Sequence, residues 1–229
     1  MDQKTLSELV QLEKLLPEQL QCHKAFYAAY YNLPRALSYY YTLTIRDKTH
    51  GGLSLLSFAV QGNAPNTLQF LLLKTDGGHN DPSLLPPMIT AVLQKSVRAF
   101  NVLMSSAYHH HMYNFEQKTG RNAFHYAVIT GNEYMTRVMM MINPKIVFVK
   151  CDNGWSPLRY ATYTKRPDFV QMLAPYYDMH EIRECFNVAR ESGFPYTADL
   201  LRMYLNTQQK CMPDVEYGAL CLHALTLAV

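Results

Sequence analysis

The sequence of 229 residues predicts an all-α solenoid of about six repeated pairs of short helices, with helical caps. Three observations predict this fold class. Alanines recur at intervals of 31, 32, 36, 34 and 28 residues, a proline follows four of these alanines by six residues, and an apolar pair follows all six at one fixed distance. Such a period is typical of repeat proteins, in which one helix pair cannot bury its apolar face until neighbouring copies stack on it.

Each part of the repeat has a physical role. The alanine suits a first helix that lies close to its neighbours, and the proline suits the first position of the second helix, where its missing N–H would have no partner. The apolar pair forms part of the inward stripe of that second helix. The alanines are Ala28, Ala59, Ala91, Ala127, Ala161 and Ala189, the prolines are Pro34, Pro65, Pro167 and Pro195, and the pairs are Tyr39-Tyr40, Phe70-Leu71, Val102-Leu103, Val138-Met139, Met172-Leu173 and Leu200-Leu201.

The segments before the alanines carry a second motif. Two of them are Gly120-Arg121-Asn122-Ala123-Phe124-His125-Tyr126-Ala127 and Gly154-Trp155-Ser156-Pro157-Leu158-Arg159-Tyr160-Ala161. They resemble the ankyrin repeat, whose pattern is Gly-x-Thr-Pro-Leu-His-x-Ala. The resemblance implies a β-hairpin tip at each glycine, helix N-caps at Asn122 and Ser156, and a structural role for His125. Tetratricopeptide repeats have a similar period but lack this hairpin glycine.

The resemblance extends over residues 21–208, and some copies depart from the pattern. The copy around Ala91 has Lys95 at the turn where a glycine is expected. The copy around Ala189 follows its predecessor too closely for a full hairpin, which predicts a plain helix pair.

We predict one ankyrin-repeat domain over residues 1–229. Residues 1–20 hold an N-terminal capping helix, which Thr5 or Ser7 could start. Residues 209–229 form a C-terminal helix or a partial repeat, and they end in an apolar run.

Composition argues against several functional classes. The net charge is only +3, and no cluster of five basic residues is present, so nucleic-acid binding is not expected. No apolar stretch approaches the ~18–20 residues that span a membrane, and the first residues lack the apolar core of a signal peptide. The five cysteines are widely spaced and odd in number, which indicates reduced thiols and a cytoplasmic location.

The resemblance implies that a partner protein lies against the concave face, which consists of the hairpin tips and the exposed sides of the first helices. We expect a monomer that holds another protein there and needs no cofactor. The predicted partner-binding residues are Trp155, Tyr163, Arg121, Lys118, Asn153, Thr130, Gln61, Tyr30 and Tyr31.

Trp155 is the centre of this predicted site because it is the only tryptophan and directly follows a hairpin glycine. Exposed Trp, Tyr and Arg residues dominate the energy of many protein interfaces, which favours a contact formed by Arg121, Trp155 and Tyr163. The alternative is that Trp155 folds over the adjacent hairpin and packs there.

Metal binding and catalysis are the competing hypotheses. The run His109-His110-His111 could supply zinc ligands, but consecutive residues point in different directions, which favours a solvated loop. Cys221 and His223 could form a thiol nucleophile and its base, although their spacing favours a buried, inert thiol. Cys151 precedes a predicted hairpin and could be exposed, whereas we expect Cys22 and Cys185 to lie in the core. No phosphate-binding loop or hydrolase motif is present, so we predict neither a metal site nor catalytic residues.

The function predicted from the sequence is therefore that of an interaction scaffold. In style, its irregular repeats are similar to the ankyrin proteins that intracellular bacteria secrete into host cells, which implies an effector acting on a host protein. A eukaryotic or viral adaptor fits the same residues. The alternative from another class is an enzyme, or the targeting half of one, with its chemistry in the C-terminal segment.

Overall fold

A computed structural model describes residues 2–16, 24–41, 49–50, 53–74, 85–105 and 108–210. The chain forms two compact units, Met1–Tyr126 and Ala127–Val229. The sequence-based prediction of a single repeat domain over the whole chain stays a prediction, and the two units are described separately.

The first unit consists of short helices and one small antiparallel strand pair. In chain order its elements are α1 (Gln3–Leu15), α2 (Lys24–Tyr30), α3 (Pro34–Tyr40), β1 (Thr49–His50), β2 (Leu53–Ser54), α4 (Leu55–Gln61), α5 (Pro65–Lys74), α6 (Pro87–Leu93), α7 (Val97–Leu103) and a 3-10 helix (His109–Tyr113). In the strand pair, Thr49 lies opposite Ser54 and His50 lies opposite Leu53.

The described elements of the second unit are all helices, and α8 contains the boundary between the units. Its elements are α8 (Ala123–Thr130), α9 (Glu133–Ile142), a 3-10 helix (Pro144–Phe148), α10 (Pro157–Tyr163), α11 (Pro167–Leu173), a 3-10 helix (Ala174–Tyr176), α12 (Met179–Glu191) and α13 (Pro195–Lys210). Among the described helices of both units, none combines the length and the apolar composition that crossing a membrane requires.

The predicted helix pairs are confirmed, and six of them lie within the described residues. They are α2/α3, α4/α5, α6/α7, α8/α9, α10/α11 and α12/α13. The alanine that marks each first helix is completely buried in all six copies. The four prolines begin α3, α5, α11 and α13, as their missing N–H predicts.

One backbone turn joins the two helices of every pair. The residue four positions after each alanine has a positive φ, between 49° and 72°, and these residues are Asn32, Asn63, Lys95, Gly131, Lys165 and Gly193. The next N–H then donates to the carbonyl oxygen of the marker alanine, at 2.8 to 3.0 Å in all six copies. This is the left-handed closure that ends many helices. It shows that the degenerate copy around Ala91 keeps the frame, with Lys95 in the conformation that glycine adopts at Gly131.

The predicted inward pair is correct for its second member in five copies and wrong in the first. Leu71, Leu103, Met139, Leu173 and Leu201 are buried. Tyr39, in contrast, is 63% exposed, and Tyr40 is half-buried. Helix α3 ends at Tyr40 and buries Ala36 and Leu37 instead, so the pair lies at the frayed end of the helix rather than in its inward stripe.

Side-chain caps fix where several helices begin. Ser156 Oγ accepts from the N–H of Arg159 (3.2 Å), and Asn122 Oδ1 accepts from the N–H of His125 (3.1 Å), so both predicted caps are confirmed. The predicted start of α1 at Thr5 or Ser7 is wrong. Asp2 caps this helix by accepting from the N–H of Thr5 (2.6 Å), because a carboxylate is the stronger acceptor at a helix N-terminus.

In the first unit, second helices are also capped by the segment that precedes their repeat. Asn32, at the α2/α3 turn, accepts through Oδ1 from the N–H groups of Asn66 (2.9 Å) and Thr67 (3.2 Å) at the start of α5. Asn63, at the α4/α5 turn, accepts from the N–H of Ala99 (3.0 Å) in α7. An asparagine at these turns therefore tolerates the positive φ and also satisfies a helix end in the next repeat.

Glu8 of α1 caps the second helix of the first pair. Its carboxylate accepts from the N–H groups of Arg35 (2.7 Å) and Ala36 (3.1 Å) in the first turn of α3. Leu12 and Leu16 bury the other side of α1. Helix α1 is thus an N-terminal cap in both senses, because it covers apolar surface and occupies the donors of the adjacent helix.

The copy around Ala189 is a plain helix pair, as its close spacing predicts. Between α11 and α12 the chain forms the 3-10 helix Ala174–Tyr176, and α12 then runs for 13 residues from its cap at Asp178.

The Lys95 turn gives a stability prediction. Lys95→Gly should raise the free energy of unfolding by about 0.5–1 kcal/mol, because relief of the left-handed strain exceeds the entropy that glycine adds to the unfolded chain. Urea denaturation at neutral pH would measure it. The matched control is Gln94→Gly, one residue earlier at φ −85°, which should destabilise instead. A loss of stability in both variants would contradict this account of the turn.

Substitution by glycine should lower the free energy of unfolding at Asn32, in contrast to Lys95. Asn32→Gly keeps the positive φ but removes the acceptor for two N–H groups of α5, which should cost about 1 kcal/mol. Asn32→Asp keeps the acceptor and should retain wild-type stability. An Asn32→Gly variant with an unchanged urea midpoint would show that the cap contributes nothing.

Candidate functional site

The position of Trp155 is set by a tight turn before α10. The N–H of Gly154 donates to the carbonyl of Cys151 (2.8 Å), and the N–H of Cys151 donates to the carbonyl of Trp155 (3.1 Å). Gly154 has φ +72°, a conformation that other residues adopt only at a cost. Because Ser156 then caps α10, the indole of Trp155 starts at the base of this helix.

The Trp155 indole lies against three side chains of α10. Its ring centroid is 5.2 Å from that of Tyr160 and 5.4 Å from that of Tyr163, and it lies 4.9 Å from the guanidinium carbon of Arg159. These four residues are called the Trp155 cluster. Trp155 is half-buried and Tyr160 is buried, whereas Tyr163 is 57% exposed. Trp155 therefore packs on its own helix, and part of it still reaches the surface.

Two members of the cluster, Arg159 and Tyr160, are absent from the predicted site. The sequence carries a signal for Arg159, because residues 155, 159 and 163 follow one another at intervals of four. That interval places side chains on one face of a helix, so the order Trp, Arg, Tyr predicts a stacked row. Tyr160 contacts the indole from the adjacent, buried side.

Within the described residues, the Arg159 guanidinium forms one ion pair. Its Nη1 atom lies 3.6 Å from Glu184 Oε2 of α12, with the two side chains 29% and 46% exposed. Within the described part of the chain, the buried Nε atom of Arg159 has no hydrogen-bond acceptor. The indole thus holds the guanidinium in place, while few of its donors are used.

A buried carboxylate anchors the turn beneath the cluster. Glu181, which is 7% exposed, accepts from Ser156 Oγ (2.5 Å) and from Lys150 Nζ (2.8 Å). The hydrogen bond to Glu181 raises the pKa of Lys150. Glu181 belongs to α12, so this contact fixes the Trp155 turn and α10 against the next helix pair.

The other predicted residues of the second unit have simpler surroundings. Asn153 is exposed at the turn before Trp155. Thr130 ends α8, half-buried, and its Oγ1 donates to the carbonyl of Ala127 (3.4 Å). Asn153 therefore lies beside the cluster along the chain, whereas Thr130 belongs to a different helix.

Arg121 and Lys118 belong to the first unit, in a hairpin-like segment. Phe115 and Asn122 form an isolated bridge there, and the N–H of Glu116 donates to the carbonyl of Arg121 (2.8 Å). Lys118 is exposed and Arg121 is half-buried. The segment has the backbone pairing that the family pattern implies.

Glu116 is the electrostatic centre of this segment. Its carboxylate accepts from Thr119 Oγ1 and from the Tyr126 hydroxyl, each at 2.6 Å. The hydrogen bond from Thr119, followed by that from Tyr126, lowers the pKa of Glu116. Burial raises the pKa of Tyr126, and its bond to Glu116 adds to this.

Tyr30, Tyr31 and Gln61 come together in the first unit. The rings of Tyr30 and Tyr31 are perpendicular, with centroids 5.2 Å apart, and each residue is 36% exposed. Gln61 is exposed, and the following Gly62 lies so close to Tyr30 that an added Cβ would sit 2.0 Å from its carbonyl oxygen. The ends of α2 and α4 therefore form one small polar and aromatic surface.

The histidine run is not the solvated loop that the sequence favours. Residues His109–Tyr113 form a 3-10 helix, and His111 is 1% exposed, with Nδ1 3.1 Å from Asn114 Nδ2. His110 is exposed and His109 is half-buried. The rings of His110 and His111 stack with their centroids 4.5 Å apart, so the expectation that consecutive histidines point in different directions is wrong for these two. In the part of the chain that the structure describes, no group of three or more His, Cys, Asp or Glu residues could hold a metal ion.

The described cysteines are both buried. Exposure of Cys151, which its position before a turn allowed, is not what the structure shows: the residue is 6% exposed, with its Sγ 3.4 Å from the Tyr160 hydroxyl. Cys185 lies in the core as predicted, and burial raises the pKa of its thiol to about 12. Cys22, Cys221, His223 and the C-terminal segment 211–229 lie outside the described residues.

Comparisons with known proteins agree with this fold. The family model of ankyrin repeats matches residues 88–183, with three copies. A chain from the complex of the predatory endopeptidase Bd0816 from Bdellovibrio bacteriovorus with the immunity protein Bd3460 superimposes with a TM-score of 0.61, at 16% identity, over 78% of this chain and 96% of that one.

Two ankyrin repeat domains are also similar. That of human ASB11 has a TM-score of 0.57, at 16% identity, over 87% of this chain and 96% of its own. That of Bcl-3, a member of the IkappaB family, has a TM-score of 0.53, at 18% identity, over 66% and 68%. A search of curated protein sequences finds no match. At these identities the structural likenesses establish the fold alone.

Glu116 gives a prediction about pH. A carboxylate with a lowered pKa contributes stability that is complete above its unfolded pKa and is lost as the pH falls through the folded pKa. At pH 7, Glu116→Gln should therefore lower the free energy of unfolding by about 1 kcal/mol, and this difference from wild type should shrink towards about pH 3. Urea titrations at both pH values would measure it. The control Glu133→Gln changes an exposed carboxylate paired with Arg137 and should show little difference at either pH. A Glu116→Gln deficit that stays constant with pH would contradict the assignment.

Proposed function

Because residues 88–183 of this chain are ankyrin repeats, we propose that the protein is a non-catalytic interaction scaffold that binds a partner protein. The partner would contact exposed sides of first helices and the turns before them. The Trp155 cluster is the proposed centre of that contact, with Asn153 beside it.

The observation that carries the proposal is the composition and exposure of the Trp155 cluster. Trp, Tyr and Arg are the residues most enriched in the energetic centres of interfaces. Here they lie in mutual contact around a half-buried indole, with 57% of Tyr163 open to solvent. A rigid aromatic surface loses little conformational entropy when a partner covers it.

The remaining predicted residues are proposed as secondary contacts. In the first unit these are Tyr30, Tyr31, Gln61, Lys118 and Arg121, and in the second unit Thr130 and Asn153. Their exposure or partial exposure supports such a role. The fold itself also occurs in a complex of two proteins, an endopeptidase with an immunity protein, which supports an interaction role in general.

The host-directed effector and the cytoplasmic location stay predictions from the repeat style and the cysteine content. The enzyme alternative, with chemistry in the C-terminal segment, rests on residues outside the described part of the chain. Preferential labelling of Cys221 by a thiol-reactive probe would favour that alternative.

The test is a cross-linking pull-down from host-cell lysate with wild type, Trp155→Ala and Tyr163→Ala side by side. Removal of one central aromatic should cost about 2 kcal/mol of binding, or roughly thirtyfold in affinity. Tyr163→Ala should leave the melting temperature nearly unchanged because the side chain is largely exposed. Trp155→Ala should lower both binding and melting temperature, since its indole packs on α10.

Tyr196→Ala is the matched control, because Tyr196 lies in the same unit, is 70% exposed and is not part of the cluster. Equal capture of a partner by wild type, Tyr163→Ala and Tyr196→Ala would place the contact elsewhere. Failure of the wild type to capture any saturable partner would count against the scaffold role itself.

A further inference from the structure

The guanidinium of Arg159 is held against the Trp155 indole but has few hydrogen-bond acceptors. Within the described residues its one charged contact is Glu184 Oε2, at 3.6 Å from Nη1, which exceeds a good hydrogen-bond distance. Its Nε has no acceptor but is buried, so a partner can reach only the two Nη atoms. A guanidinium has five N–H donors, and the four on Nη1 and Nη2 can bind further oxygen atoms without breaking a strong hydrogen bond.

The Trp155 indole restricts where those donors can point. The guanidinium carbon lies 4.9 Å from the indole centroid, a distance typical of cation–π contact. An arginine held on an aromatic face loses less rotamer freedom when it binds a ligand than a free surface arginine does. The donors of Arg159 are therefore preorganised beside the exposed ring of Tyr163.

Glu184 is a weakly held competitor for the same donors. It is 46% exposed, and its second oxygen lies 4.0 Å from Nε2 of His180, which is one turn earlier in α12 and 81% exposed. An exposed ion pair of this kind contributes at most about 1 kcal/mol. Of the other charged groups nearby, Lys150 and Glu181 are paired with each other at 2.8 Å, so they are already satisfied.

We propose that the Trp155 cluster recognises an acidic side chain of its partner, a glutamate or aspartate that pairs with Arg159 and displaces Glu184. A carboxylate matches the planar fork of a guanidinium and can bind it through two parallel hydrogen bonds. The residue next to that carboxylate in the partner would pack on the exposed face of Tyr163. The proposal rests on the proposed function and adds the chemistry of the bound segment.

The experiment selects random dodecapeptides displayed on phage against the full chain, and then measures synthetic versions of the selected peptides. Trp155 is the only tryptophan, so its fluorescence reports binding directly at the cluster. The selected peptides should share an acidic residue, and its replacement by the corresponding amide should weaken binding about tenfold.

Variants of the chain test the pairing itself. Arg159→Lys keeps the charge but loses the fork and should weaken binding about tenfold. Glu184→Gln removes the competitor and should strengthen binding about two- to fivefold. Arg202→Lys is the control, because Arg202 is also an exposed arginine beside an acidic residue, Asp199, at 2.8 Å, and it should bind like wild type. If Arg159→Lys has a lowered melting temperature, the affinity of Glu184→Gln still tests the proposal, because that substitution leaves the Trp155 cluster intact.

Several outcomes would overturn the proposal. These are a selection that yields no binder, peptides without an acidic residue, peptides that bind Arg159→Lys as well as wild type, and a Glu184→Gln variant that gains no affinity. The two proposals fail differently. Peptides that lose affinity with Tyr163→Ala but not with Arg159→Lys would refute acid recognition and leave the protein-binding surface in place. Peptides insensitive to both would refute both.

Discussion

The left-handed turn after each marker alanine is the constraint on which the rest of the structure depends. It reverses the chain within a few residues, and the N–H that follows it closes on the alanine carbonyl at 2.8 to 3.0 Å in all six copies. That closure brings the second helix back alongside the first, so the alanine must be small and is completely buried. Burial of the inward stripe of each second helix follows from this geometry.

The features that the sequence predicted correctly are those governed by local sterics. A proline starts a second helix because of its own ring, and Ser156 or Asn122 caps a first helix through its own side chain. The alanine frame is equally local, since the turn lies only four residues away. Such features need no knowledge of which other segments lie nearby, so the six helix pairs could be predicted from residue spacing.

The predictions that failed depend on distant neighbours or on helix ends. Tyr39 is an aromatic residue at the position that Phe70 occupies in the next repeat, but α3 ends beside it and leaves the ring in solvent. Cys151 precedes a turn, where exposure is common, yet it is buried beside Tyr160. The hydrogen bond from Ser156 to the buried Glu181 joins residues 25 positions apart, and no local sequence pattern indicates it.

The candidate site is an intermediate case. Trp155 and Tyr163 are suggested by residue type and repeat position, and the interval of four to Arg159 is visible in the sequence. The weak pairing of Arg159 is not, because it depends on where α12 places Glu184. Sequence reasoning could therefore identify the aromatic surface, while the chemistry that the surface offers a partner required the packing of two helix pairs.

The caps supplied by Glu8, Asn32 and Asn63 have a consequence for how order spreads along the first unit. Each links the N-terminal end of one second helix to a residue of the preceding segment. A repeat that detaches there loses apolar contact and also exposes helix donors in its successor, so neighbouring repeats should open and close as a group. Three side chains therefore contribute to the cooperativity of this unit. In each case the side chain of an earlier segment caps a helix of a later repeat, so loss of the earlier segment destabilises the later one.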